Sequence, residues 1–217
     1  RWSRSIYIYL LGSFIAADRT GTDTKRREET LLVLLGKVDS LRQRIAGKSI
    51  PLEKFCARRA SRAIRNGDIY FSHYEFMYFM NGMDVMAGQP ALLHLALRDI
   101  ETTWQPISEN ADANDACLYR FLRGALLRHL GAVFEAEQCF QHVIDQEQQL
   151  TDMSYLAPNA WLELGLLRIS EQHYQDAEAC LSRAIRYRSF ALENKLHFRV
   201  HGAMEKIREQ AEKDKQK

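Results

Sequence analysis

The residues able to do chemistry are few and scattered. Gly47, Lys48 and Ser49 match the end of a phosphate-binding loop, in which backbone N–H groups and a lysine cradle a nucleotide's phosphates. The full G-x4-G-K-[ST] pattern needs a glycine at position 42, where Arg42 stands, and a helical pattern rather than a strand precedes it. The three residues therefore read as a helix end and a short bridge to Pro51. His197 and His201 are one helical turn apart, as metal ligands can be, but no third ligand accompanies them, so both read as structural or solvated. His129, His142 and His173 have no Ser or Cys nucleophile and carboxylate arranged with them in sequence. Cys56, Cys117, Cys139 and Cys180 form no C-x-x-C pair and fall at apolar helical positions, which makes them reduced core residues. The expectation is a non-enzymatic protein with no metal and no cofactor.

The elements that carry these residues are expected to be helical. The 217-residue chain has only 4 prolines and 11 glycines, and 46% of it is hydrophobic. Long stretches without punctuation favour an all-α fold over a turn-rich β architecture. Net charge is +2, with a basic concentration at 42–65, where Arg42, Arg44, Lys48, Lys54, Arg58, Arg59, Arg62 and Arg65 stand against Glu53 as the lone acid. The stretch reads mainly as a solvated helix face able to attract acidic surface. It has few interleaved aromatics, so no nucleic-acid partner is expected. The most apolar segment, 6–17, is shorter than the roughly 20 residues a bilayer span needs. With no N-x-[ST] acceptor and no leader recognisable in a chain that starts at Arg1 and reads as an excised fragment, the expected setting is cytoplasmic, with a nuclear one also open.

Spacing of apolar residues at three and four predicts about nine helices. Nine are 3–17; 30–46, after a polar connector 18–29; 51–66, with Pro51 in its first turn; 68–87, capped by Asp68; 90–104; 115–130; 133–150; 158–171; and 173–187; a last one runs from 190 into a charged tail. The cluster Tyr70, Phe71, Tyr74, Phe76, Tyr78 and Phe79, with its methionines, reads as core packing rather than as an adaptable peptide-binding surface.

An internal repeat is the clearest signal. Gly124, Ala136, Phe140 and Val143 reappear 41 residues later as Gly165, Ala177, Leu181 and Ala184. A tetratricopeptide unit has a period of about 34 residues, and the surplus fits a lengthened connection at 147–157. Trp161, Leu164 and Gly165, followed by Tyr174, Ala177, Leu181 and Ala184, match the W-x2-L-G…Y-x2-A-x3-L-x2-A pattern of such units. Arg120 and Arg123 replace the tryptophan and leucine in the first unit. The predicted fold is therefore all-α, with antiparallel helical hairpins stacked as a tetratricopeptide-type right-handed superhelix. Its expected parts are a degenerate helical-repeat region 1–104, two repeats within 105–189 (about 117–150 and 158–189) and a C-terminal capping helix and tail 190–217.

Three stretches, A-G-K-S-I-P-L-E-K-F at 46–55, Y-E-F-M-Y-F-M-N-G at 74–82 and L-H-F-R-V-H at 196–201, resemble the tetratricopeptide repeat protein 39 family, which is related to the fungal inclusion-body clearance proteins. The resemblance covers nearly the whole chain and corresponds to the C-terminal half of its members. It implies a non-catalytic adaptor, with member-dependent roles in ubiquitin-linked turnover of a lipid-sensing nuclear receptor, in cilia, or in clearing aggregates at lipid droplets. Repeats of this kind line a concave groove with the first helix of each pair. The lining positions would be Leu118, Phe121, Ala125 and Arg128, then Asn159, Leu162, Leu166 and Ile169. Such an apolar groove suits an amphipathic helix, from a protein partner or from elsewhere in the same protein. The alternative is a lipid-handling or membrane-surface protein, peripheral to a membrane or lipid droplet, using the groove and the basic stretch 42–65.

Overall fold

The computed structural model describes residues 3–18, 24–67 and 69–215. The connector residues Gly21, Thr22 and Asp23 and the expected cap Asp68 lie outside them. Eleven α-helices and a single two-stranded ribbon occur among the described residues. The chain divides into two compact units, Arg1–Met80 and Asn81–Lys217.

The first unit holds α1 (Arg4–Ala17), α2 (Thr24–Val38), β1 (Arg44–Ile45), β2 (Lys48–Ser49), α3 (Pro51–Asn66) and α4 (Ser72–Phe79). Ser3 caps α1 by accepting from the Ile6 N–H, and Gly67, at φ 84°, closes α3 in the left-handed conformation expected of a glycine there. Helix α2 stops at Val38, eight residues short of the expected 46. Ser40 turns its hydroxyl back to the Lys37 carbonyl, and the chain instead forms the ribbon, in which Arg44 pairs with Ser49 and Ile45 with Lys48. Ala46 and Gly47 both have positive φ, the geometry of a tight hairpin turn. Gly47 is therefore a turn residue and not a helix stop.

The basic stretch is only in part a solvated face. Lys54, Arg58 and Arg65 are exposed, but Arg59 and Arg62 are buried. Arg59 Nε donates to Glu75 Oε2 of α4 at 2.7 Å, an ion pair out of water between two helices. Tyr9 and Cys56 lie near it, and both are buried, as are Phe55, Phe71, Tyr78 and Phe79, with the Phe55 and Phe79 rings edge-on at 5.1 Å. Burial and the nearby Glu75 carboxylate push the Cys56 thiol well up, so it stays protonated and inert.

The second unit holds α5 (Gly82–Met86), α6 (Pro90–Trp104), α7 (Ala113–His129), α8 (Val133–Asp145), a 3-10 turn (Glu147–Gln149), α9 (Leu156–Ser170), α10 (Tyr174–Ala184) and α11 (Glu193–Lys215). The single helix expected over 68–87 is broken between α4 and α5, where Asn81 takes φ 57° before Gly82. Asn-Gly is a strong turn signal that the apolar run around it masks. The unit boundary falls at the same place, so α5 and α6 fold with the repeat hairpins.

The 41-residue repeat is real in three dimensions. A Cβ built on Gly124 would lie 2.8 Å from Phe140 Cε1 and 2.9 Å from Cys139 Cβ, and one on Gly165 would lie 2.8 Å from Leu181 Cδ2 and 2.9 Å from its Cγ. The same helix pair meets at the same point in both hairpins, with Ala136, Phe140, Ala177 and Leu181 completely buried. The turns correspond as well: Gly131 has φ 78° and Gln172, 41 residues on, has φ 63°. The intervening insertion is tied down rather than loose. Asn114 Oδ1 accepts from the Asp152 and Met153 N–H groups at 3.1 Å each, and Leu150, Met153 and Tyr155 are buried.

The two crossing glycines should behave opposite to a glycine in open space. Ala is favoured over Gly by up to about 1 kcal/mol in a helix interior, and at Gly202 nothing lies within 4 Å of an added Cβ, so Gly202→Ala should raise the melting temperature. Gly165→Ala and Gly124→Ala should instead lower stability, by about 1–3 kcal/mol through overpacking. Equal effects of all three in chemical denaturation would mean the crossings are not close.

Candidate partner-binding face

Helices α7 and α9, the first of each hairpin, pack on one another, and α9 also packs on α8. Helix α11 meets α9 and α10 in the same manner, taking the place that the first helix of a further repeat would occupy. Its residues Leu196, Val200, Ala203 and Ile207, spaced i, i+4, i+7 and i+11, form one buried cluster with Leu162, Ala177, Leu181 and Ala184. That spacing is the anchor pattern of a helix laid against an apolar face, supplied here from within the chain.

The expected groove residues consequently divide. Leu162 is 0% exposed beneath α11. Phe121 points into its own hairpin, its ring meeting Phe140 of α8 at 6.0 Å, and Leu118 and Ala125 are equally buried. Asn159 is buried and donates from Nδ2 to the Tyr155 carbonyl at 2.7 Å. Leu166 and Ile169 remain half-buried at the edge of the α11 contact. Trp161 is also only half-buried, with the Arg183 guanidinium of α10 over its ring at 4.8 Å.

Arg128 leads to a feature the sequence reading missed. Its Nε donates to Glu163 Oε2 at 2.7 Å, while Arg199 Nη2 donates to Glu163 Oε1 at 2.8 Å. Glu163 has 0% exposure, and the two arginine side chains have 16% and 17%. One carboxylate thus bridges α7, α9 and α11, the three successive first-type helices. Beyond Arg128, the His129 Nε2 lies 3.0 Å from Arg128 Nη2, which can only donate, so the ring nitrogen accepts there. Asp84 Oδ1 of α5 is 3.4 Å from the same atom. Burial first, and then the Arg128 charge, lower the His129 pKa and keep the ring neutral. A signal for Glu163 did exist: it is the sole charged residue between 156 and 167 of a very apolar helix, and a charge in that position must be paired.

The remaining chemistry-bearing residues do not converge. His197 Nε2 is 3.9 Å from Glu193 Oε1 and 3.4 Å from Arg188 Nη1, and His201 is exposed. No group of three or more His, Cys, Asp or Glu side chains able to hold a metal occurs among the described residues. All four cysteines are free, and burial pushes the Cys117 thiol up to about 11. No helix among the described residues is long and apolar enough to cross a membrane.

Comparison with known proteins decides the lineage. The family model described as Iml2/Tetratricopeptide repeat protein 39 matches residues 1–130. The chain belongs to that family. It is also 47% identical over 204 residues to Tetratricopeptide repeat protein ttc-39B of Caenorhabditis elegans, an alignment covering 94% of this chain and 35% of that protein. The chain therefore spans about a third of the length of the curated relative it matches. No solved structure matches it. Within this Iml2/tetratricopeptide repeat protein 39 chain, the family model's match ends just past α7, so α8, the second hairpin and α11 lie beyond it.

Two measurements probe the ion ladder. Glu163→Gln should cost about 3 kcal/mol in denaturant unfolding, because it removes the carboxylate charge shared by two largely desolvated guanidiniums, whereas Arg199→Gln should cost less, since Arg128 still neutralises the carboxylate. The lowered His129 pKa means that the folded state binds fewer protons than the unfolded chain, so stability rises with pH. This contribution is fully present above the ordinary histidine value of 6.5 and is lost as pH falls below it. His129→Gln should flatten the melting profile between about pH 7 and pH 5; an unchanged slope would show that the ring titrates normally.

Proposed function

We infer that this chain is part of a protein-interaction scaffold, an adaptor that binds an amphipathic helix of a protein partner across the face formed by α7, α9 and α11. The half-open strip of Leu166 and Ile169 beside an ordered array of charge, Arg128, Glu163 and Arg199, is the observation that supports this reading. The strip gives an incoming helix its apolar footing, and the guanidinium edges orient it. Phe121 and Asn159 shape that face from within, and Leu162 comes into reach where α11 is displaced. A rigid platform lowers the ordering cost of binding, and the ion ladder makes this one rigid.

A second reading, attachment to an anionic membrane or lipid-droplet surface, draws on the exposed Arg44, Lys48, Lys54 and Arg58 of the first unit together with Tyr7, Leu11 and Phe14, which are exposed on α1. Affinity capture from cells with the full-length protein, in parallel with Ile169→Asp, separates the two. Ile169 is half-buried, so the variant should keep its fold and lose specific protein partners. An identical set of captured proteins, at unchanged melting temperature, would remove the α7/α9/α11 face from consideration. Co-flotation with phosphatidylserine vesicles that survives Ile169→Asp would favour the second reading.

A further inference from the structure

A cleft of about 280 Å³ opens between the two hairpins, lined by Ile144, Glu147, Trp161, Arg183, Arg186 and Tyr187. One wall comes from the end of α8 and the 3-10 turn, the other from α9 and the end of α10. Its chemistry is not that of a packing defect. The Arg183 guanidinium lies on the Trp161 ring, so its charge is fixed in orientation while its N–H edge stays available. Arg183 and Arg186 make no ion pair and no side-chain hydrogen bond among the described residues, and both are exposed. In contrast, the cleft's one acid is already engaged: the Tyr187 hydroxyl donates to Glu147. Burial, with Glu147 beside it, pushes Tyr187 up to about 12, so the phenol remains a donor at neutral pH and holds Glu147 against its own wall.

Ile144 and the exposed part of Trp161 supply apolar surface next to these two cations. The ligand this fits carries an anionic group immediately beside an aliphatic one. Charge decides which anion. Two guanidiniums against the fixed Glu147 carboxylate leave a net charge of about +1, which complements a single carboxylate. A dianionic phosphoryl group would exceed that charge and face Glu147 at close range.

We propose that this cleft is a second docking point of the protein, which takes a side-chain carboxylate and the adjacent aliphatic residue of an acidic peptide segment. The inference rests on the scaffold reading but uses a surface separate from Leu166 and Ile169, so the two can fail independently. The test is fluorescence anisotropy of a labelled peptide of alternating glutamate and leucine, titrated with full-length protein. Saturable, salt-sensitive binding is expected, with no binding of the matched glutamine-leucine peptide. Arg186→Gln, which leaves the Arg183–Trp161 contact untouched, should weaken binding about tenfold through loss of a charge-assisted hydrogen bond, and Ile169→Asp should leave it unchanged. Arg183→Gln adds an independent check: its peptide affinity should fall while the melting temperature moves little. Affinity unaltered in both arginine variants overturns the proposal, as does absence of saturable binding. Tighter binding of a phosphoserine-leucine peptide than of the glutamate one overturns the assignment to carboxylate.

Discussion

In each hairpin of the second unit the first helix approaches the second through a glycine, and the rest of the stack is laid down from that contact. At Gly124 and Gly165 the space a Cβ would take is filled by Phe140 and Leu181 from the opposite helix. An interior this dense leaves no freedom for the crossing to slide, so the faces the paired helices present outward are fixed as well. That is why α9 can offer one side to α8, another to α7 and a third to α11 without any of them being improvised.

A stack built from such hairpins exposes an apolar end unless something closes it. Here α11 does so with Leu196, Val200, Ala203 and Ile207, and the closure carries charge as well as apolar area. Burial of Glu163 would be costly alone, yet between Arg128 and Arg199 it becomes a register pin, since the carboxylate's two oxygens each meet a guanidinium on a different helix. Hydrophobic contact by itself is non-directional. The ion ladder supplies the direction, holding three helices at one level.

Much of this was legible in sequence, because it depends on spacing. The offset between Gly124 and Gly165 marked the crossing before any coordinate did, and Pro51, Gly67 and Pro90 sit where helix-end chemistry puts them. What stayed hidden was decided by local competition or by distance. Gly47 could end a helix or turn a ribbon, and only the pairing of Arg44 with Ser49 chooses. Asn81-Gly82 broke a run whose apolar pattern argued for continuity. The groove positions were assigned from an open repeat, whereas Leu162 faces a helix of its own chain, and nothing local in α9 could reveal that α11 returns to cover it.

The insertion that stretches the repeat to 41 residues links these observations. An ordinary period of about 34 would bring the second hairpin in directly after α8. Instead the added residues form the 3-10 turn and a segment pinned by Asn114 and by buried Leu150, Met153 and Tyr155. A loop anchored at so many points does not flex to fill space, so it holds Glu147 out as a wall opposite Arg183 and Arg186. The same residues that lengthen the repeat without disturbing either glycine crossing therefore form one wall of a concavity in which Arg183, Arg186 and the Trp161 ring meet. A hairpin geometry repeated with a pinned insertion between its copies thus adds a concave surface between the hairpins while leaving both glycine crossings unchanged.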